Sequence, residues 1–173
     1  RLYGVLLDRE KKAAEVYQQA IDSLQPVIGQ ENTGKTVAFF YINSNGSANV
    51  RKSGDYVAKM IEMAGGQYIF SDLGDDNALS TMNMQMETFY TGARDADVII
   101  YNSTIDGELH SIDELLAKSP LLADFKAVQT GDVWCTGQNL FQSTMGLGDM
   151  ILDIHAVLTE ENPGNLTYLH RLT

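Results

Sequence analysis

Seven consecutive residues, Thr36-Val37-Ala38-Phe39-Phe40-Tyr41-Ile42, are all apolar, aromatic or β-branched, and they leave this chain few folds to choose from. A strand with one wet face alternates polar and apolar side chains. A run without that alternation is covered on both faces, as happens in a parallel sheet held between layers of helix. A second run, Ala96-Asp97-Val98-Ile99-Ile100-Tyr101, and a third, Asp132-Val133-Trp134-Cys135-Thr136 after Gly131, are likewise unalternating once past their aspartates, and a short strand is expected at Tyr68 to Phe70.

Helix-period segments separate these runs. From Asp8, a plausible N-cap, Ala13, Val16, Tyr17, Ala20, Ile21 and Leu24 recur at three and four and predict a long first helix ending near Pro26. The polar stretch Asn43 to Lys52 reads as a loop. Ser53 is placed to cap a helix carrying Tyr56, Val57, Met60, Ile61 and Ala64, which Gly65-Gly66 ends. Further helices are expected at Met84 to Ala93, after Ser111 or Asp113 until Pro120, and at Gly146 to Leu158. Strands alternating with helices through short connections predict a three-layer α/β/α sandwich with a mainly parallel central sheet.

At 173 residues, with 44% hydrophobic composition, the chain suits one domain with its own core. Its formal charge of −11 argues against nucleic acid, whose phosphates such a field repels. The single cysteine, Cys135, excludes an internal disulfide and any cysteine-built metal cluster, and a buried inert thiol is expected there. No run of about 18 apolar residues suggests a membrane helix. The opening Arg1-Leu2-Tyr3-Gly4 carries neither a methionine nor a leader pattern, as expected of a piece excised from a longer protein.

Gly29-Gln30-Glu31-Asn32-Thr33-Gly34-Lys35-Thr36 satisfies the G-x4-G-K-T string of a phosphate-binding loop. That chemistry needs a strand before the loop and a helix after it, so that backbone N–H groups face the phosphates. Here the order is reversed, and a surface turn feeding a strand is expected instead. His110, His155 and His170 are dispersed with no i, i+4 pair, so neither a metal site nor a cofactor is legible. Asp75-Asp76 and Glu160-Glu161 fall in polar stretches where solvated charge is the ordinary explanation. The sequons at Asn45, Asn102 and Asn165 carry little information. No catalytic residue is assigned.

Aromatic and polar residues gather instead after three of the expected strands, where open α/β sheets place their ligand crevice. Tyr41, Asn43, Ser44, Asn45, Arg51 and Lys52 follow the first strand; Tyr101, Asn102 and Thr104 the second; Trp134, Gln138, Asn139 and Phe141 the third. Aromatic planes beside amides and two cations suit a large, flat or anionic small molecule.

Five strings in order carry a resemblance: Glu10-Lys11-Lys12-Ala13-Ala14-Glu15; Ser53-Gly54-Asp55-Tyr56 with Ile61-Glu62-Met63-Ala64-Gly65-Gly66; Ala93-Arg94-Asp95-Ala96-Asp97-Val98-Ile99-Ile100; Lys126 to Trp134; and Asn162-Pro163 through Leu172. Together they resemble the C-terminal lobe of substrate-binding proteins of ABC importers for iron-siderophores, haem and cobalamin, the helical-backbone class of periplasmic binding proteins. The resemblance implies that residues 1–28 end the helix joining two lobes. Residues 29–173 would be one α/β lobe, with an N-terminal lobe elsewhere in the same protein. It implies a binding protein rather than an enzyme, one that captures a metal chelate between its lobes and delivers it to the membrane permease. An extracytoplasmic location follows, as a lipoprotein on a Gram-positive surface or in a periplasm. Arg51, Tyr41 and Trp134 are the leading ligand contacts it implies, then Lys52, Asn43, Tyr101, Asn102, Gln138 and Asn139. Glu87 is similar in place to a glutamate on the lobe's outer surface that pairs with permease arginines. A nucleotide-binding enzyme using Gly29 to Thr36 and a flavodoxin-like or receiver-like signalling domain remain as alternatives.

Overall fold

The apolar run forms strand β1 (Thr36–Ile42), and in the computed structural model, which describes residues 15, 18, 19, 22, 24–27, 29–73, 81–137 and 146–173, it lies inside the sheet. The other strands are β2 (Ala48–Arg51), β3 (Gln67–Tyr68), β4 (Thr81–Met84), β5 (Val98–Tyr101), β6 (Val133–Thr136) and β7 (Leu169–Arg171). Their order is β4-β2-β1-β5-β6-β7, with β3 paired to the first residues of β1. β1 is parallel to β3 and β5, and β5 to β6; β2 and β7 run against their neighbours. Since β4 in turn opposes β2, only β2 and β7 are reversed and the sheet is mainly parallel.

The helices are α1 (Tyr56–Met63), α2 (Met86–Ala93), α3 (Ile112–Lys118), α4 (Lys126–Thr130) and α5 (Leu147–Thr159), with a 3-10 turn at Pro120–Asp124. Side-chain alternation along β1 shows where they lie. Val37 points to the layer of α1 and α5: a Cβ on Gly66 would meet Leu158 at 3.0 Å, Ile61 at 3.2 Å and Val37 at 3.3 Å. Phe40, three residues on and so on the opposite face, packs against Phe89 of α2 at a centroid distance of 4.5 Å, and Phe89 stacks on Phe125 at 5.6 Å. The result is three layers, α/β/α. Burial of a ring such as Phe89, which is fully enclosed, contributes on the order of 2–3 kcal/mol, and each well-set ring pair adds about 1 kcal/mol.

Several expectations need correction. The segment read as a loop after Asn43 contains β2, which folds back on β1 through a turn closed by Asn43 N–H to Ser47 O at 2.8 Å. The caps also shift: Asp55 rather than Ser53 caps α1, its carboxylate accepting from Val57 N–H at 2.9 Å. Met84 ends β4 instead of starting α2. The short strand lies at Gln67–Tyr68, one residue earlier than its expected start. Strands β4 and β7 and helix α4 gave no sequence signal. Ser111 caps α3 as expected, accepting from Glu114 N–H. Of the long first helix, Glu15, Gln18, Gln19, Asp22 and Leu24 are helical and its start lies outside the described residues. Among the described residues no helix is long and apolar enough to cross a membrane.

Candidate functional site

The hairpin β1-β2 and the carboxyl end of β5 build a cleft of about 300 Å³, lined by Tyr41, Asn49, Arg51, Tyr56, Thr81, Asn102, Thr104 and Ile105. Register explains the grouping. Tyr41 is paired with Asn49 across the hairpin and Arg51 with Thr81 across β2-β4. Because side chains alternate, Asn49 and Arg51 share one face with Tyr41 and Phe39. The Arg51 guanidinium accordingly sits over the Phe39 ring, 5.8 Å from its centroid.

Arg51 is the cation of this cleft and is held in place. Its side chain is only 15% exposed and lies 3.5 Å from the carboxylate of Asp55, which also caps α1. Tyr56 enters from the first turn of α1. Burial raises its phenol's pKa, and the Arg51 cation offsets part of that rise. Asn49 donates to Asn83 Oδ1 at 2.8 Å, tying β2 to β4. Asn102 is buried, and its Oδ1 accepts from the Thr104 hydroxyl at 2.7 Å, which orients the loop leaving β5. The lining thus offers two phenols, amides, two hydroxyls and one fixed guanidinium, which can hold a molecule through hydrogen bonds, stacking and one positive charge.

Of the residues singled out by sequence, Tyr41, Arg51, Asn102 and Thr104 meet here. The others among the described residues lie elsewhere. Tyr101 is fully buried, its ring edge-on to Phe40 at 5.8 Å, and burial pushes its phenol up to about 12. Lys52 is 5% exposed and absent from the lining. Asn43 locks the hairpin turn, its Nδ2 donating to Ser47 Oγ at 3.1 Å and Asn83 Oδ1 at 3.0 Å. Trp134 packs under the Arg171 guanidinium, 4.7 Å away, in a separate hollow with Asn162, Pro163 and Leu166. Gln138 and Asn139 lie outside the described residues. Glu87 stands exposed in the first turn of α2. Asn49, Tyr56 and Thr81 join the cleft only through strand pairing and helix placement, and no local pattern marks them.

The phosphate-loop string does what its position dictates. Residues 30–35 have no regular structure and run straight into β1. The loop's own side chains take up its amides: Asn32 Oδ1 accepts from Gly34 N–H at 2.7 Å and Thr33 Oγ1 from Lys35 N–H at 3.3 Å. Asn32 and Thr33 also donate to the carbonyls of Gly66 and Gly65. No helix N-terminus follows, so nucleotide binding of that kind has no support here. The acidic pocket of a receiver-like domain is likewise missing from the cleft lining.

Known proteins share this architecture. An ABC-type Fe3+-hydroxamate transport protein from Saccharomonospora viridis superposes with a TM-score of 0.72 at 19% identity, covering 91% of this chain and 53% of that one. A periplasmic haem-binding protein of Vibrio cholerae gives 0.65 at 20% identity, over 90% of this chain and 60% of that one. One from Pseudomonas aeruginosa gives 0.69 at 15% identity, over 98% and 61%. The chain therefore spans between half and two thirds of these structures, and at such identities the likeness is one of fold. No curated protein sequence matches it significantly. The sequence model of the family described as periplasmic binding protein matches residues 1–140, which is most of the chain. On that match, with a fold that agrees, the chain belongs to the periplasmic binding protein family.

Proposed function

We propose that this chain is one lobe of the solute-binding component of an ABC importer, and that its cleft forms one wall of the site that captures a metal chelate of the iron-siderophore, haem or cobalamin type. The observation that carries this reading is the meeting of Tyr41 and Asn102, at the carboxyl ends of β1 and β5, with Arg51 of β2. In a binding-protein family, a fixed cation flanked by phenols and amides recognises an extended molecule bearing carboxylates or other anionic oxygens. The structures of similar fold described as Fe3+-hydroxamate and haem proteins support the ligand class. A second lobe of the same protein closes over the ligand, and the permease subunits of the importer receive it. The protein works outside the cytoplasmic membrane, as a surface lipoprotein or in a periplasm.

Full-length protein titrated by calorimetry with a ferric hydroxamate, haem and cobalamin tests this. Saturable one-to-one binding of one of the three, weakened by Tyr41→Ala, is expected. Absence of binding to all three would remove the chelate reading while leaving the family membership intact.

A further inference from the structure

The fold brings together three potential metal ligands that the sequence holds apart. Glu108, His110 and His170 place one donor atom each within 4.8 Å of one another. The two imidazoles lie side by side, 5.5 Å between centroids and 24° from parallel. Two imidazoles bound to one tetrahedral ion at the usual Zn–N length of about 2.0–2.1 Å have centroids roughly 5 Å apart. The observed spacing is thus close to that of a bound pair.

One ring is also oriented from behind. His170 Nε2 lies 2.6 Å from the carbonyl oxygen of Leu109. A carbonyl only accepts, so Nε2 carries the proton and a neutral His170 keeps its lone pair on Nδ1. Donation from the far ring nitrogen to a backbone carbonyl is the support that metal-ligating histidines ordinarily have. His170 is held in edge strand β7, opposite Cys135 of β6, and Leu109 N–H meets Cys135 Sγ at 3.4 Å, which anchors the loop carrying the other two ligands. Glu114, whose Oε2 accepts from His110 N–H at 2.7 Å, adds a second carboxylate beside the group. The chain's charge of −11 favours a cation there as well.

We infer that Glu108, His110 and His170 form a divalent transition-metal site of Zn2+ type, with one carboxylate and two imidazoles and at least one position open to water. Nitrogen and oxygen donors in this ratio suit Zn2+ and its neighbours over Ca2+ or Mg2+, which take oxygen ligands. The site shares no residue with the cleft, so it stands apart from the proposed chelate capture. Glu108 and His110 nevertheless lie on the same loop as Thr104 and Ile105, which line the cleft. An ion there ties that loop to the sheet's edge strand.

Tag-free full-length protein, stripped of metal and titrated with ZnCl2 by calorimetry, is expected to bind one ion per site, and CoCl2 to give the visible absorption of a tetrahedral centre. His110→Ala, at an exposed position, and Glu108→Gln should each weaken zinc binding at least about tenfold with the circular dichroism spectrum unchanged. MgCl2 should not compete. Absence of saturable zinc binding, or binding of unchanged strength in both variants, would overturn the site. Because chelate binding is read separately, failure of one proposal leaves the other standing.

Discussion

Arg51 shows how one residue acquires a role from its neighbours. In sequence it is a loop cation; in the fold it is a strand residue resting on Phe39 and braced by Asp55. Its guanidinium is planar, permanently charged and already positioned on the cleft wall, which suits an anionic ligand. Arg51→Lys in the full-length protein should weaken chelate binding about tenfold, equivalent to about 1.4 kcal/mol, with an unchanged melting temperature. Unaltered affinity would make Arg51 a purely structural partner of Asp55. Cys135 makes a different point at the same scale. It is fully buried, and burial pushes its thiol up to about 11, with the Glu108 and Glu114 carboxylates adding to the rise. The reactive thiolate is therefore scarce at neutral pH. An alkylating reagent should leave native protein unmodified over hours and label it in minutes in denaturant. Fast labelling of the folded protein would show that the β6-β7 edge opens readily.

At the scale of elements, the entrance to the sheet is fastened by a side-chain bridge. Asp97, just before β5, accepts from both the backbone N–H of Thr36 at 2.9 Å and its hydroxyl at 3.2 Å, while its own N–H donates to that hydroxyl at 3.1 Å. Burial alone would raise the Asp97 carboxyl. The hydrogen bonds from Lys126 and Thr36 outweigh it and hold the pKa below the ordinary value. A carboxyl lowered on folding stabilises the native state above its unfolded pKa, about 3.9, and loses that contribution as pH falls through the folded value. Asp97→Ala should thus cost about 1–2 kcal/mol at pH 7 for the two bonds to Thr36. Denaturant unfolding should find the gap between wild type and variant narrowing below about pH 4. A gap of constant size from pH 7 to pH 3 would mean that packing, not the charge, is responsible.

For the whole molecule, the proposed reading gives the cleft and the outer helical surface different partners. Glu87 lies exposed on α2, whose buried residues Met86, Phe89 and Ala93 face the sheet. On the opposite side of the sheet from α1 and α5, it belongs to the layer away from the cleft face. An exposed carboxylate there suits docking to a basic membrane partner through rim electrostatics, which set association rate and salt dependence. Full-length Glu87→Ala protein should bind chelate with wild-type affinity and support little uptake in cells or reconstituted vesicles. Wild-type transport, or a collapse of chelate affinity, would remove Glu87 from that role.

The layered architecture was legible in the sequence because it rests on local signals. Seven unalternating apolar residues require cover on both faces, helix periods supply it, and Gly65-Gly66 stops a helix wherever the chain goes next. Tyr41 and Asn102 were also within reach, since they close strands whose ends face a crevice. Strands β2, β4 and β7 were not. They are short and mixed in character, and they exist because a neighbouring edge offers backbone hydrogen bonds. Everything that depends on them was hidden too. Asn49 and Thr81 reach the cleft through pairing with β1 and β2. Trp134, which sequence assigned to the ligand, is covered by Arg171 of β7. His170 comes to His110 only when that edge strand closes on β6. Periodicity records which faces a segment must bury. Which distant segment covers them is settled only by tertiary pairing, and there the site's remaining residues were decided.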